Sequence, residues 1–376
     1  MKKIQELEDL KSKKVFLRVD FNVPLTQSSI TNHQSVISDV YRIKAHKETI
    51  NYLISAGARV ALVSHADRSF RETVSEIGQI LGYQLGFEED ILNPKLDSQL
   101  TLFENIRKYE GEEKNDEKLA LSLSKGFDIY MNDAFSVSHR NHASVSGITK
   151  FLPSYAGFLM EKELSNLEKV LNSPAQGKTI VLGGAKISTK IPVIKNFLDK
   201  AEHILIAGAL ANAIFKFKGL KIGSSFVEDS EVENIDSEDS RIVLPKDFLI
   251  STDRSGQTFP EATLVKDLED NQIILDIGPE TAKQFSEIVK KSKMVIFNGP
   301  LGLAEVEAFS AGTKIVLDSI IRSGAFSVIG GGDTLALVEK LDLLDKFSYI
   351  STGGGAMLEF LAGDKLPGLE ALGYYK

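Results

Sequence analysis

The chain has 376 residues and a formal net charge of −8, with 43% apolar and 26% charged residues. That length suits two domains of ordinary size, each with its own core, and the acidic balance argues against the broad basic face that nucleic-acid binding needs. With no cysteine there is no disulfide, thiol nucleophile or cysteine metal site, a composition compatible with a reducing cytoplasm. Met1 to Leu10 is charged and lacks an apolar signal core. No apolar run of about 20 residues appears, so no transmembrane helix is expected.

In chain order, Val15 to Val19 is an apolar strand opening into Asp20-Phe21-Asn22-Val23-Pro24. Asp and Asn at a strand's end are either turn formers or residues facing a cleft at the carboxyl edge of a parallel sheet. Thr26 to Asp39 is polar and reads as a loop. Arg42 to Ala56 carries Ile43, Ile50, Leu53 and Ile54 among charges, a helix ended by Gly57. Val60 to Val63 is a strand running into Ser64-His65-Ala66-Asp67-Arg68. Glu72 to Leu81 reads as a helix, Leu102 to Asn105 as a strand end with Arg107 beyond it, and Glu112 to Leu123 as a charged helix. Ile129 to Met131 leads into Asn132-Asp133-Ala134-Phe135. His139 and His142 sit three apart in a polar stretch. A zinc pair is one reading of that spacing, and hydrogen-bonded loop histidines are the plainer one.

Phe158 to Asn172 is a strongly periodic helix near mid-chain, placed to connect two lobes. The rhythm then repeats. Strands Thr179 to Leu182, Ile204 to Ile206, Lys246 to Ile250, Ile273 to Ile277 and Met294 to Phe297 follow, several of them running into glycine. Pro192 to Leu198 is helical, and Glu228 to Ser240 is an acidic loop or helix start. Ser327 to Lys340, S-V-I-G-G-G-D-T-L-A-L-V-E-K, is strand, triple glycine and helix start. Such a turn presents bare N–H groups to a phosphate, and Asp333 suits a magnesium ion carried by one. The alternative is a plain strand–helix turn with Asp333 as N-cap. A last glycine turn, Gly353 to Gly355, follows Tyr349 to Thr352. Alternating strands and helices make the chain α/β, with doubly wound parallel sheets expected in two lobes. Neither a G-x-x-x-x-G-K-[ST] loop nor a dinucleotide G-x-G-x-x-G is present.

Of ten arginines, seven lie in the first 140 residues: Arg18, Arg42, Arg59, Arg68, Arg71, Arg107 and Arg140. The Gly-rich turns at Gly183, Gly330 and Gly353 lie in the second half. Arginine forks suit carboxylate and phosphate, which points to an acidic substrate on one half and a nucleotide on the other.

Read together, R-V-D-F-N-V-P-L (Arg18 to Leu25), E-N-I-R (Glu104 to Arg107), N-D-A-F…H-R-N-H-A-S (Asn132 to Ser144), A-G-F-L-M-E-K-E-L (Ala156 to Leu164), G-G-A-K (Gly183 to Lys186), N-G-P-L-G (Asn298 to Gly302), G-G-G-D-T and S-T-G-G-G-A resemble the phosphoglycerate kinase family, in its order and over nearly the whole chain. The resemblance implies a cytoplasmic, usually monomeric glycolytic enzyme with two Rossmann-like lobes. It would move a phosphoryl group between Mg-ATP and 3-phosphoglycerate, interconverting them with ADP and 1,3-bisphosphoglycerate. Hinge closure about the helix from Phe158 would bring the lobes together, without nucleic acid or membrane. It places an acid-substrate lobe at 1–155 with the tail 362–376 packing on it, a connecting helix at 156–172 and a nucleotide lobe at 173–361. Substrate positions are Asp20, Phe21, Asn22, Arg42, His65, Arg68, Arg107 and Arg140. Nucleotide positions are Gly184, Lys190, Leu275, Asn298, Pro300, Glu305, Gly331, Gly332, Asp333 and Thr334, with Asp333 on magnesium and Glu305 on the ribose. Catalytic positions are Arg42, Lys186, Gly332 and Gly354.

The chain departs from the family pattern at several points. Ala66-Asp67 replaces a leucine-glycine pair, Thr189 an acid, Ala207 to Ala211 a more glycine-rich run, and Ile274 a glycine. A family member that binds nucleotide without transferring phosphate is therefore a second reading. A two-lobe dehydrogenase-like protein is a third, opposed by the missing dinucleotide pattern.

Overall fold

The computed structural model describes residues 1–27, 35–228, 231–258 and 260–375. They form two compact units. The first comprises Met1–Ser165 with the described residues from Lys365 on, and the second Asn166–Asp364.

The first unit contains β1 (Lys14–Arg18), β2 (Leu25–Gln27), β3 (Ser35–Ile37), α1 (Val40–Ala45), α2 (Lys47–Ser55), β4 (Arg59–Val63), α3 (Val74–Leu81), β5 (Gly86–Glu88), β6 (Leu100–Phe103), α4 (Glu117–Ser124), β7 (Ile129–Asn132) and β8 (Ser154–Ala156). Six of these strands make a parallel sheet in the order β5-β6-β4-β1-β7-β8. Val15, Phe16 and Leu17 are fully buried, the continuous apolar run expected of a parallel strand covered on both faces. The chain winds outward from β1 through β4, then returns to β7 on its other side, so the switch point lies between β1 and β7.

Helix α5 (Phe158–Asn172) contributes residues to both units. The second unit continues with β9 (Lys178–Leu182), α6 (Ile191–Phe197), β10 (His203–Ile206), α7 (Gly208–Phe217), β11 (Ile242–Val243), β12 (Asp247–Ser251), β13 (Glu261–Leu264), β14 (Ile273–Ile277), α8 (Pro279–Lys291), β15 (Met294–Asn298), α9 (Ala311–Ser323), β16 (Phe326–Gly330), α10 (Gly332–Lys340), β17 (Tyr349–Ile350) and α11 (Gly355–Ala362). Its parallel sheet runs β11-β10-β9-β15-β16-β17, with the switch point between β9 and β15. The last helix, α12 (Pro367–Ala371), belongs to the first unit, where Gly368 N–H donates to Ser138 C=O at 2.8 Å and the Met1 ammonium to Gly373 C=O at 2.9 Å.

Five local expectations are corrected or refined. The single helix expected over Arg42 to Ala56 is two helices meeting at His46, whose ring is committed to Asp20 and Asp133. The charged helix expected from Glu112 starts only at Glu117, capped by Asp116, whose carboxylate accepts Leu119 N–H at 2.8 Å. Glu112 itself is buried on the preceding turn, where it accepts the N–H and Oγ–H of Ser144 at 2.9 and 2.6 Å. The polar stretch Thr26 to Asp39 holds β3 and the end of β2, which pair antiparallel, while its residues 28–34 lie outside the described ones. Within Glu228 to Ser240, Val232–Asn234 forms one short 3-10 turn, and residues 229–230 lie outside the described ones. The pieces read as Lys246 to Ile250 and Ile273 to Ile277 do not join the parallel sheet. They are β12 and β14 of a separate antiparallel sheet, ordered β13-β12-β14.

Candidate active site

In the first unit the chemistry gathers at the carboxyl ends of β1, β4 and β7. Asp20 is 4% exposed. Its carboxylate accepts the Asn22 N–H at 3.1 Å and the Ser136 hydroxyl at 2.5 Å, and lies 3.7 Å from Arg42 Nη1. Burial pushes the Asp20 pKa up, but Arg42, His65 and these two donors outweigh it and hold the carboxyl below the usual range. Arg42 is fixed on three sides: it donates to Asn22 C=O at 2.9 Å, lies 3.2 Å from the Asp39 carboxylate, and faces Asp20. Phe21 is fully buried and donates its N–H to Ser64 Oγ at 2.8 Å. His65 is nearly buried, with Nδ1 3.4 Å from Arg18 Nη2. Burial, then the Arg18 charge, drag its pKa down to about 3 against the pull of Asp20, so the ring is neutral.

Arg68 donates to Val23 C=O at 2.7 Å and leaves a buried Nε without a partner. Arg107 lies 3.8 Å from Asp67, whose side chain is 81% exposed. The replacement at Asp67 is thus a solvent-screened surface charge, worth little against the site. Arg140 is half-buried, and among the described residues no carboxylate lies within ion-pair distance of its guanidinium. Burial, then repulsion from Arg107, lower its pKa. His139 and His142 are each brought down to about 4, first by burial and then by Arg140. Arg107 also lies 3.1 Å from the Glu113 carboxylate, whereas Arg68 and Arg140 have no carboxylate within ion-pair distance among the described residues, and cations so held form a site for an anion. Among the described residues, no group of three or more His, Cys, Asp or Glu could hold a metal ion.

Sequence reading missed Arg18. It is fully buried and spans the sheet's carboxyl edge, donating to Ser144 Oγ at 3.0 Å and to the main chain of Val19. Glu112 lies behind the same serine. An arginine inside an apolar strand is the signal, because a buried guanidinium must be paired.

The second unit holds a cleft of about 290 Å³, open at the switch point and lined in part by Gly184, Ala209, Phe226, Ile274, Leu275, Pro300, Glu305 and Asp333. Main chain meets main chain along its floor: Gly183 N–H donates to Asn298 C=O at 3.0 Å and Gly184 N–H to Pro300 C=O at 2.7 Å. A Cβ on Gly183 would overlap Pro300, so glycine is required for this approach. Leu275, Glu305, Gly184, Pro300 and Asp333 line the cleft directly. The antiparallel sheet supplies Ile274 and Leu275 through β14. Ala209, from the altered 207–211 run, lines it too, and Phe226, Asn212 and Arg254 also do so and were not expected. Asp276 lines it as well and accepts the N–H groups of Ile277 and Gly312, each at 2.8 Å, while burial pushes its pKa up to about 7.

Lys190 is 4% exposed. Burial lowers its ammonium to about 8, against the attraction of Asp333 and Glu228. Glu228 also accepts the N–H of Ile187, so it holds the turn carrying Lys186, whose own side chain is exposed. This supplies an acid near Lys190 although position 189 is threonine. Gly331, at φ +95°, turns β16 into α10, which places Gly331 rather than Asp333 at the cap and leaves Asp333 exposed in the first turn. Thr334 is fully buried and accepts Gly299 N–H at 3.0 Å, and Asn298 is buried beside Gly331 and Met357. Gly332 and Gly354 open onto free space.

A family model described as phosphoglycerate kinase matches residues 4–364. The phosphoglycerate kinases of Wolbachia sp. subsp. Drosophila simulans (strain wRi) and Wolbachia sp. subsp. Brugia malayi (strain TRS) are each 40% identical to the chain, covering 97% of it and 96% of themselves. Solved structures of phosphoglycerate kinase are similar throughout. That from Coxiella burnetii has a TM-score of 0.81 at 31% identity over 99% of both chains. That from Pyrococcus horikoshii OT3 has a TM-score of 0.85 at 31% identity over 99% of this chain and 98% of its own. The chain belongs to the phosphoglycerate kinase family.

Proposed function

We propose that the chain transfers a phosphoryl group reversibly between ATP and the carboxylate of 3-phosphoglycerate, as a glycolytic enzyme of the cytoplasm acting as a monomer. Family membership supports the reaction class. The observation that carries the assignment of parts is the contrast between the two switch points: arginines gathered at one, with Arg68 and Arg140 lacking a carboxylate at ion-pair distance among the described residues, and a glycine-floored cleft at the other.

In this reading Arg68, Arg107 and Arg140 hold the phosphate end of the acid, while Asp20, Phe21, Asn22, Arg42 and His65 shape and orient its other groups. The base sits against Leu275, the ribose on Glu305, and the phosphates over Gly184, Lys190, Asn298, Pro300 and Gly331 to Thr334. The substrate carboxylate is ionised at neutral pH and needs no general base. Its oxygen forms the new bond to the γ-phosphorus as the bond to the ADP oxygen breaks. The protein's part is alignment and neutralisation of charge on the moving group. Arg42, Lys186 and the N–H groups at Gly332 and Gly354 are placed in that role.

Magnesium fits as a passenger on the nucleotide. Asp333 is one exposed carboxylate at a helix start, and no dedicated cage exists among the described residues. Asp333 would hold the ion, which supplies neutralising charge to the phosphates. Transfer requires the two substrates to meet with water excluded, and α5, shared by both units, is the segment proposed to bend.

Calorimetry tests the division of labour. Arg140→Ala should weaken 3-phosphoglycerate and spare Mg-ADP, while Lys190→Ala should do the reverse. Loss of both ligands together in either variant would overturn it.

A further inference from the structure

His46 is absent from every position expected to touch a ligand, yet it is 1% exposed and bonds two separate elements. Its Nε2 lies 3.1 Å from the backbone nitrogen of Asp20, and its Nδ1 2.8 Å from Asp133 Oδ2. A backbone N–H can only donate, so Nε2 carries the lone pair and the ring proton sits on Nδ1, donated to Asp133. The other Asp133 oxygen accepts Thr49 Oγ1–H at 2.9 Å and Leu159 N–H at 3.0 Å, and Thr49 Oγ1 accepts Phe158 N–H at 3.0 Å. The first two N–H groups of α5 are therefore satisfied from the residue just after β7 and from α2. Gly157, just before the helix, has no side chain to offer, and a Cβ there would overlap the Asp133 carboxylate. The His46 ring also packs edge-on against Phe21, with centroids 5.7 Å apart. One buried imidazole thus joins the anchored start of α5 to the main chain of Asp20 and the ring of Phe21.

We propose that His46 is a positioning residue for the acid-substrate site. It acts through the Asp20 N–H and the Phe21 ring, which hold the 20–22 segment where Asp20 and the Asn22 carbonyl grip Arg42. Without it the segment keeps its sequence but loses its anchor, and a shift of about 1 Å in a positioned group can cost on the order of a hundredfold in rate. The inference rests on the function proposed above.

The test compares the intact protein with His46→Asn and His46→Gln. An asparagine amide reaches Asp133 as Nδ1 does but falls short of Asp20, while glutamine can offer an oxygen to Asp20 N–H. In hydrogen exchange, the Asp20 amide of His46→Asn should exchange about tenfold faster than wild type, with Phe158 and Leu159 unchanged, and His46→Gln should recover most protection. In turnover, kcat/KM for 3-phosphoglycerate should fall about tenfold in His46→Asn, with the KM for Mg-ATP within about twofold. Unchanged Asp20 exchange would overturn the inference. So would equal loosening at Asp20, Phe158 and Leu159, the mark of a purely structural residue, or faster exchange with an unchanged kcat/KM for 3-phosphoglycerate in an active enzyme. Exchange needs no turnover, so a wild-type protein lacking activity would count against the proposed function and remain distinguishable from failure here.

Discussion

Gly184 donates its N–H to the carbonyl oxygen of Pro300 across 2.7 Å, just where the paired strands β9 and β15 end. Between them Gly299 sits at φ +89°, and a Cβ on it would overlap the Gly183 main chain. Gly299→Ala should therefore cost about 1–3 kcal/mol of stability and abolish Mg-ADP binding. Gly324→Ala is the control. It has φ +67° but nothing within 4 Å, so it should lose some stability and keep nucleotide affinity. Thermal melts with and without Mg-ADP separate the two, and equal ligand-induced shifts would refute the prediction.

Arg140 is predicted to trade stability for function. Burial and Arg107 both oppose its charge, so Arg140→Ala should leave the melting temperature level or raise it. Affinity for 3-phosphoglycerate should fall by about tenfold or more, the worth of a charged hydrogen bond. A destabilised protein with intact affinity would show that the arginine is structural.

The pH dependence of stability follows from the histidines. His65 titrates near 3 in the fold, and His139 and His142 near 4, against 6.5 unfolded. Between those values the unfolded chain binds more protons. Their contribution is thus present above pH 6.5 and lost as pH falls toward 4. Asp20, lowered in the fold, acts in the same direction at lower pH. Asp276, raised to about 7 from 3.8, acts oppositely, losing stability as pH rises toward 7. Glu112 and Glu359, also raised first by burial, act as Asp276 does, so the histidine contribution is read from a variant, as the change in the slope of stability between pH 6.5 and 5. His65→Gln should reduce that slope by about one proton. Urea titrations at both pH values check this, and an unchanged slope in the variant would contradict it.

The sheets were readable because parallel strands are unbroken apolar runs, such as Val295 to Phe297 and Val328 to Ile329, ending in glycine or polar residues. The same junctions marked Asp20, His65, Gly184 and Asp333. What could not be read was set by long-range contact. His46 and Asp133 are 87 residues apart, and no local pattern joins them. Glu112 looked like a helix-surface charge because its partner Ser144 lies 32 residues on. Strand β13 is almost wholly exposed, so its burial shows no alternation. The sheet that brings Leu275 to the cleft was hidden with it.

Lys186 is exposed, on a turn held by Glu228. Its replacement by alanine should cost on the order of 3 kcal/mol at the barrier, about a hundredfold in kcat. Nucleotide KM should move only a few-fold, because the contact strengthens as charge moves. Stopped-flow or steady-state kinetics decide this, and a KM effect without loss of kcat would reassign the lysine to ground-state binding.

The most direct measurement is turnover of the purified protein with Mg-ATP and 3-phosphoglycerate, the acyl phosphate being drawn off by a coupled dehydrogenase. The account predicts rapid turnover that disappears in both Arg42→Ala and Lys186→Ala. Nucleotide binding without any phosphoryl transfer in the wild-type protein would contradict it.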